Sequence, residues 1–379
     1  MSQPSPTPGP KSHRIAAIDW MRGFVMILMI FDHASMSFDR DHLDHDSALY
    51  ANAMTMALPG AEFFTRWMTH ICAPTFVFLA GTALALSIER RVAKGMNAWE
   101  IDKNIIIRGV IIALIDPTII SLGLGRVSLS VLTAIGLSMV GMTVLRRLPT
   151  WGLLVFGLGW FALGEWVTGL VWAPPGSAPI AGALTFAPSG DGDFSIKYPV
   201  VPWLAIMALG WVFGRHMTEH ASGKARTTPA QVMFVAGLAA LAVFAVARGL
   251  NGYGNMFLLR ADDSWQQWLH VSKYPPSLTY ATLELGLMAL VLAAMLKLEP
   301  VVGVRDSGLL LVLGQTAMFY YLVHRFVFDA TAYYGGLHGV GTISTTYAVG
   351  IGALVVLYPL CRWYRGFKAA RPQSLLRYL

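Results

Sequence analysis

Apolar runs separated by short polar connections recur along the whole chain. Ten are long enough to form membrane-crossing helices, roughly 15–38, 67–88, 105–124, 127–145, 151–172, 198–214, 230–248, 276–297, 308–328 and 342–364, against the about 20 residues a spanning helix needs. The run at 198–214 is short, and only Gly125 and Arg126 separate the third run from the fourth. This pattern predicts an all-α fold, a polytopic transmembrane helix bundle of about ten spans. No internal repeat divides it, so residues 14–379 read as a single transmembrane domain. Residues 1–13, MSQPSPTPGPKSH, are rich in Pro and Ser, lack apolar periodicity and read as a disordered tail. The first run is too long for a signal-peptide core and no small-residue cleavage pattern follows, so it reads as a retained span.

Composition agrees. With 379 residues, 55% hydrophobic and 13% charged, the chain falls outside the range of soluble globular domains. In a soluble chain the net charge of +7 would point to nucleic acid. Here the basic residues sit in short connections, where they set topology, and no nucleic-acid site is read. Eighteen of the 28 Lys and Arg residues fall on the connections that are inside if the N-terminus is inside, and seven on the others. This bias predicts that both termini are cytoplasmic and that the protein is integral to the cytoplasmic or inner membrane. Cys72 and Cys361 then lie at opposite ends of the bundle and cannot pair.

The first run carries an anomaly. Asp19 and Arg22 lie near its inner end, Asp32 and His33 near its outer end. At about 100° per residue Arg22 and His33 share one helical face, separated along the axis by roughly 16 Å. Ionisable groups on a membrane helix are costly unless they line a polar path, which makes them candidate site residues. Arg108, Asp116, Glu165, Glu284, His324, Arg325 and Asp329 belong to the same set. Asp19 with Arg22, and Arg325 with Asp329, have the spacing for pairing on their own helices. A neutral imidazole suits proton transfer near neutral pH, so His33 is a candidate general base. Asp32 cannot face it within a regular helix. Either the helix ends there and Asp32 folds back, or Asp116 or Glu284 must orient the ring. The first outer loop, Asp39–Ser47, holds His42 and His45 among aspartates; it matches no metal-ligand motif and reads as a solvated acidic loop. Met26 and Met29 read as packing, and Pro117, Pro202, Pro275 and Pro276 as helix breakers lining a cavity.

At IDWMRGFVMILMIFDHAS the chain resembles the membrane acetyltransferases related to heparan-alpha-glucosaminide N-acetyltransferase, within the transmembrane acyltransferase superfamily. The likeness continues through Thr69–Leu86, Tyr198–Gly214, Lys273–Leu278, Phe319–His324 and Leu357–Lys368. The Arg22 to His33 spacing is similar to the arginine, ten residues, histidine pattern of acyltransferase-3 proteins. The resemblance implies transfer of an acyl group from cytoplasmic acetyl-CoA to a hydroxyl or amine of an extracytoplasmic sugar or small-molecule acceptor. It implies Arg22, Asp19 and Arg108 on the donor side, with His33 and Asp32 at the chemistry. In the heparan enzyme the catalytic histidine lies in the first outer loop and the position of His33 is not a histidine, which brings in His42 and His45 as rivals. His70, four residues before Pro74, could face the same pocket.

The expected function is therefore a histidine-based acyltransferase, running directly or through an acyl-histidine. The reading from another class is a transporter or channel, against which stand the missing repeat and the clustering of charges on few helices. Trp265 and Trp268 suit either sugar stacking or interfacial anchoring. Gly210 and Gly214 make a small-xxx-small step that fits a homodimer contact or internal packing.

Overall fold

The structure, a computed structural model, describes residues 15–190, 193–371, 373 and 374; the proposed tail at 1–13 lies outside them. In chain order the elements are α1 (Ala16–Phe38), α2 (Gly60–Trp67), α3 (Cys72–Ala93), α4 (Ala98–Ile115), a π-helical turn (Asp116–Ile120), α5 (Ser121–Leu124), β1 (Val127–Leu129), α6 (Val131–Leu145), α7 (Thr150–Gly169), α8 (Ile180–Thr185), β2 (Phe194–Ile196), α9 (Val200–Ala221), α10 (Pro229–Leu250), α11 (Trp265–Leu269), α12 (Leu278–Val302), α13 (Leu309–Gln315), α14 (Ala317–Tyr334) and α15 (Ile343–Ala369). β1 and β2 pair in parallel. Eight helices among the described residues are long and apolar enough to cross a membrane, nine if α13 and α14, bent by 83°, form one broken span. The 15-residue α6 is shorter, but it runs antiparallel to α4 over the same depth. Arg146 Nε donates to Asp102 at one end (2.7 Å) and the Ser130 N–H to Asp116 at the other (3.0 Å). Each of the ten predicted runs contains helix, in an all-α membrane bundle, but the run at 127–145 opens with β1 and the run at 308–328 is divided between α13 and α14.

The described chain starts and finishes on one face. The N–H groups of Ala16 and Ala17 donate to Glu299 at the end of α12, and Arg365 of α15 donates to the Asp306 carbonyl just beyond it. This is the face to which the Lys and Arg bias assigns the cytoplasm. α1 is the central strut, its apolar side buried against α3, α13, α14 and α15. Close approach there depends on glycine: a Cβ on Gly314 would collide with the Asp19 carbonyl, and one on Gly23 with the Leu310 carbonyl.

The short 198–214 run becomes a full 22-residue helix because polar residues beyond Gly214 continue it. Pro202 does not break α9: it lies in the first turn, where a backbone N–H has no helical partner anyway. Pro117 sits inside the π-helical turn, and Pro275 with Pro276 immediately precedes the Ser277 cap of α12. Gly210 and Gly214 press against Phe78, Thr82 and Ala85 of α3, so this step packs within the protein.

Candidate active site

Two cavities meet in the middle of the bundle. The larger, about 720 Å³, is bounded by α1, α3, α4, α6, α13, α14 and α15 and includes Arg22, Arg91, Asn104, Arg108, Gln315 and Lys368. The polar groups mark the half toward the face that carries Glu299 and Asp306, while Met26, Met29, Ile112, Leu132, Ile135 and Met139 make an apolar inner end. The smaller, about 90 Å³, lies on the outer side and is bordered by His33, Asp32, His42, Arg66, Lys197, Tyr274 and Arg325, among others. Val131 and Tyr321 border both.

The tautomer of His33 follows from its neighbours. His324 Nδ1 lies 2.6 Å from the Tyr320 carbonyl, which can only accept, so this nitrogen carries the proton. In neutral His324, Nε2 is then a lone pair. His33 Nδ1, 2.8 Å away, must be the donor. That leaves the lone pair of neutral His33 on Nε2, the state a general base requires. The rings of His33 and His324 stack at 5.0 Å, and Tyr321 stands edge-on to His33 at 5.7 Å.

Beside the imidazole pair, Arg66 anchors a buried charge cluster. Its Nη1 donates to Asp32 (2.7 Å), and its Nε and Nη2 approach Asp46 at 2.7 and 2.6 Å. Such a fork orients both carboxylates. Burial alone would raise the Asp46 carboxyl, but the Arg66 guanidinium outweighs it and holds Asp46 well below the usual carboxylate range. His42 is pushed down to about 4 by burial and by Arg66, against the pull of the neighbouring aspartates. Burial works against the Lys197 ammonium, yet Asp44, 3.2 Å away, keeps it above its ordinary value.

The profile of the family described as "Heparan-alpha-glucosaminide N-acetyltransferase, catalytic" matches residues 14–248, more than half of the chain. The chain belongs to this family. No curated protein matches it. As a heparan-alpha-glucosaminide N-acetyltransferase family member with this many apolar helices, it is an integral, multi-pass membrane acetyltransferase of that type.

The residues singled out in this family member fall into three groups. His33 and Asp32 border the outer pocket, as does the rival His42, whose Nδ1 contacts Ser35 Oγ at 2.8 Å. Arg22 and Arg108 border the large cavity, and Asp19 pairs with Arg22 at 3.3 Å. His70 and His45 are elsewhere. His70 is buried with Nε2 3.2 Å from Asp46, beneath the charge cluster. His45 packs on Tyr50 at 4.4 Å, and its carbonyl receives His270 Nε2.

Three expectations need correction. Asp32 does not fold back onto His33, because α1 continues to Phe38 and the carboxylate is held by Arg66. Neither Asp116 nor Glu284 orients the ring; Asp116 accepts the N–H groups of Ser130 (3.0 Å) and Thr133 (2.8 Å), and His324 is the partner of His33. The loop Asp39–Ser47 is not simply solvated, since Asp39 and Asp46 are buried and the Asp46 carbonyl accepts the Lys273 N–H. Met26 and Met29 pack in the main hydrophobic core, as expected, and also border the large cavity. Sequence reasoning missed the His324 partnership and the Arg66 anchor. His324 stood among the ionisable candidates, but no spacing in the sequence pairs it with His33, 291 residues away.

Proposed function

We propose that the protein transfers an acetyl group from cytoplasmic acetyl-CoA, bound in the large cavity, to a hydroxyl or amine of an extracytoplasmic sugar presented at the outer pocket. The observation that carries this reading is the pair of cavities bordered in common by Val131 and Tyr321, with the imidazole of His33 on the smaller one. Arg22, Arg91, Arg108 and Lys368 supply the positive charge that CoA phosphates need. The rise of roughly 16 Å between Arg22 and His33 lets an extended donor run from that charge to the wall. His33 Nε2 takes the proton of the acceptor as its oxygen or nitrogen attacks the thioester carbonyl carbon. The carbon–sulfur bond breaks, and His33 returns the proton to the departing thiolate. The acceptor leaves acetylated and CoA leaves as the thiol. His324 holds the reactive tautomer, and the Arg66 cluster fixes the outer end of α1 beneath it.

The test is binding followed by product analysis. Purified protein should be stabilised against heat by acetyl-CoA, and mass spectrometry of its reaction with acetyl-CoA and glucosamine should show an acetylated sugar. No thermal response to acetyl-CoA or free CoA would refute the reading and favour a transporter.

A further inference from the structure

The wall between the cavities is built from two unlike halves. Val131 is the first residue of α6, and the N–H groups on both sides of it, from Ser130 and Thr133, are held by one Asp116 carboxylate oxygen. Asp116 itself belongs to the π-helical turn, with Ser121 Oγ donating to its carbonyl and the Ser128 N–H donating to Ser121 Oγ. The backbone at Val131 is therefore clamped from the π-helical turn that follows α4, and a β-branched side chain there has little rotamer freedom. The other half is Tyr321 on α14, a ring set edge-on against both His33 (5.7 Å) and His324 (6.0 Å).

On the donor side of this wall the space is about 720 Å³, on the acceptor side about 90 Å³. An acyl carbon placed within reach of His33 Nε2 has passed into the confined side. We propose that Val131 and Tyr321 set the upper limit on acyl length, confining the donor to short acyl thioesters. This rests on the acyltransferase reading above. Cores tolerate overfilling poorly, and one methylene in a filled apolar pocket discriminates about 10- to 200-fold. The acetyl group passes; a butyryl group, with two more methylenes, meets the clamped valine.

The experiment compares acetyl-, propionyl-, butyryl- and hexanoyl-CoA with full-length protein in lipid nanodiscs, using glucosamine as acceptor. It counts released CoA thiol, so that transfer to water also registers, and follows donor binding by thermal shift. Wild type should discriminate against butyryl-CoA in kcat/KM by about tenfold or more, and Val131→Ala should reduce that discrimination by about tenfold. Val131→Ile, a smaller change in the opposite sense, should sharpen it against propionyl-CoA. Tyr321→Phe keeps the ring and should leave the chain-length profile unchanged. An identical profile in wild type and Val131→Ala, or a Tyr321→Phe profile as broad as that expected of Val131→Ala, overturns the proposal. A wild-type protein that consumes no acyl-CoA overturns the transferase reading itself, a different result from a transferase whose profile ignores residue 131.

Discussion

Replacing His324 tests how the imidazole pair works. His33 Nδ1 donates to His324 Nε2 at 2.8 Å, and both rings are buried. In His324→Ala the His33 N–H loses its acceptor inside the protein. Leaving a buried donor unsatisfied costs about 1–3 kcal/mol, so His33 will turn or move its proton to Nε2 to escape that cost. Either response removes the lone pair from the outer pocket. At 1.36 kcal/mol per decade the same 1–3 kcal/mol corresponds to a roughly 5- to 150-fold loss in kcat. The donor cavity lies across the wall, so the KM for acetyl-CoA should change less than threefold. His324→Gln carries a carbonyl oxygen that can accept the same N–H, and it should recover part of the loss; a merely space-filling role would not distinguish it from a residue of similar volume such as Met. The assay is steady-state acetyl transfer in nanodiscs, with a melting curve to show that each variant is folded. Wild-type kcat in folded His324→Ala would refute the tautomer argument.

Other perturbations separate the remaining parts. Asp46→Asn should lower thermal stability at pH 7, because one partner of a buried pair is removed, at a cost of about 3–5 kcal/mol. The Asp46 carboxyl is depressed in the folded protein, so its contribution is present above the unfolded carboxylate value near 3.9 and fades as pH falls through the lower folded value. Melting curves of wild type should accordingly fall below about pH 4, and those of Asp46→Asn should fall less steeply. Arg22→Ala and Arg108→Ala should each raise the KM for acetyl-CoA about tenfold with smaller effects on kcat, by loss of a charge-assisted contact on the donor side; equal KM values would remove these residues from the donor site. Gly314→Ala should destabilise the protein by about 1–3 kcal/mol, since its Cβ meets the Asp19 carbonyl, and a wild-type melting temperature would contradict the close α1–α13 contact.

Much of the fold was legible because bilayer physics writes it plainly: each of the ten apolar runs carries helix, eight or nine of them long and apolar enough to span, and basic connections mark one face. Details that depend on local backbone chemistry were not. The bend at Thr316 divides a continuous apolar run, and the π-helical turn at Asp116 gives a buried carboxylate a capping role that spacing alone does not reveal. Within the site, the face shared by Arg22 and His33 follows from 3.6-residue periodicity, and α1 runs unbroken from one to the other. The partner of His33 was out of reach, because it lies 291 residues away on α14 and no periodicity links α1 to α14. The Asp39–Ser47 loop was misread for the same reason: Asp46 is neutralised by Arg66 and Asp44 by Lys197, cations whose places are set by tertiary packing.

The most direct test is the His33→Ala variant, purified in nanodiscs and mixed with acetyl-CoA and glucosamine, with mass spectrometry of the sugar as readout and acetyl-CoA thermal stabilisation as the control. Loss of a positioned general base should reduce transfer by about 10²- to 10⁴-fold while stabilisation by acetyl-CoA persists. Undiminished acetyl transfer by folded His33→Ala would contradict the assignment and move the chemistry to His42, the other histidine bordering the outer pocket.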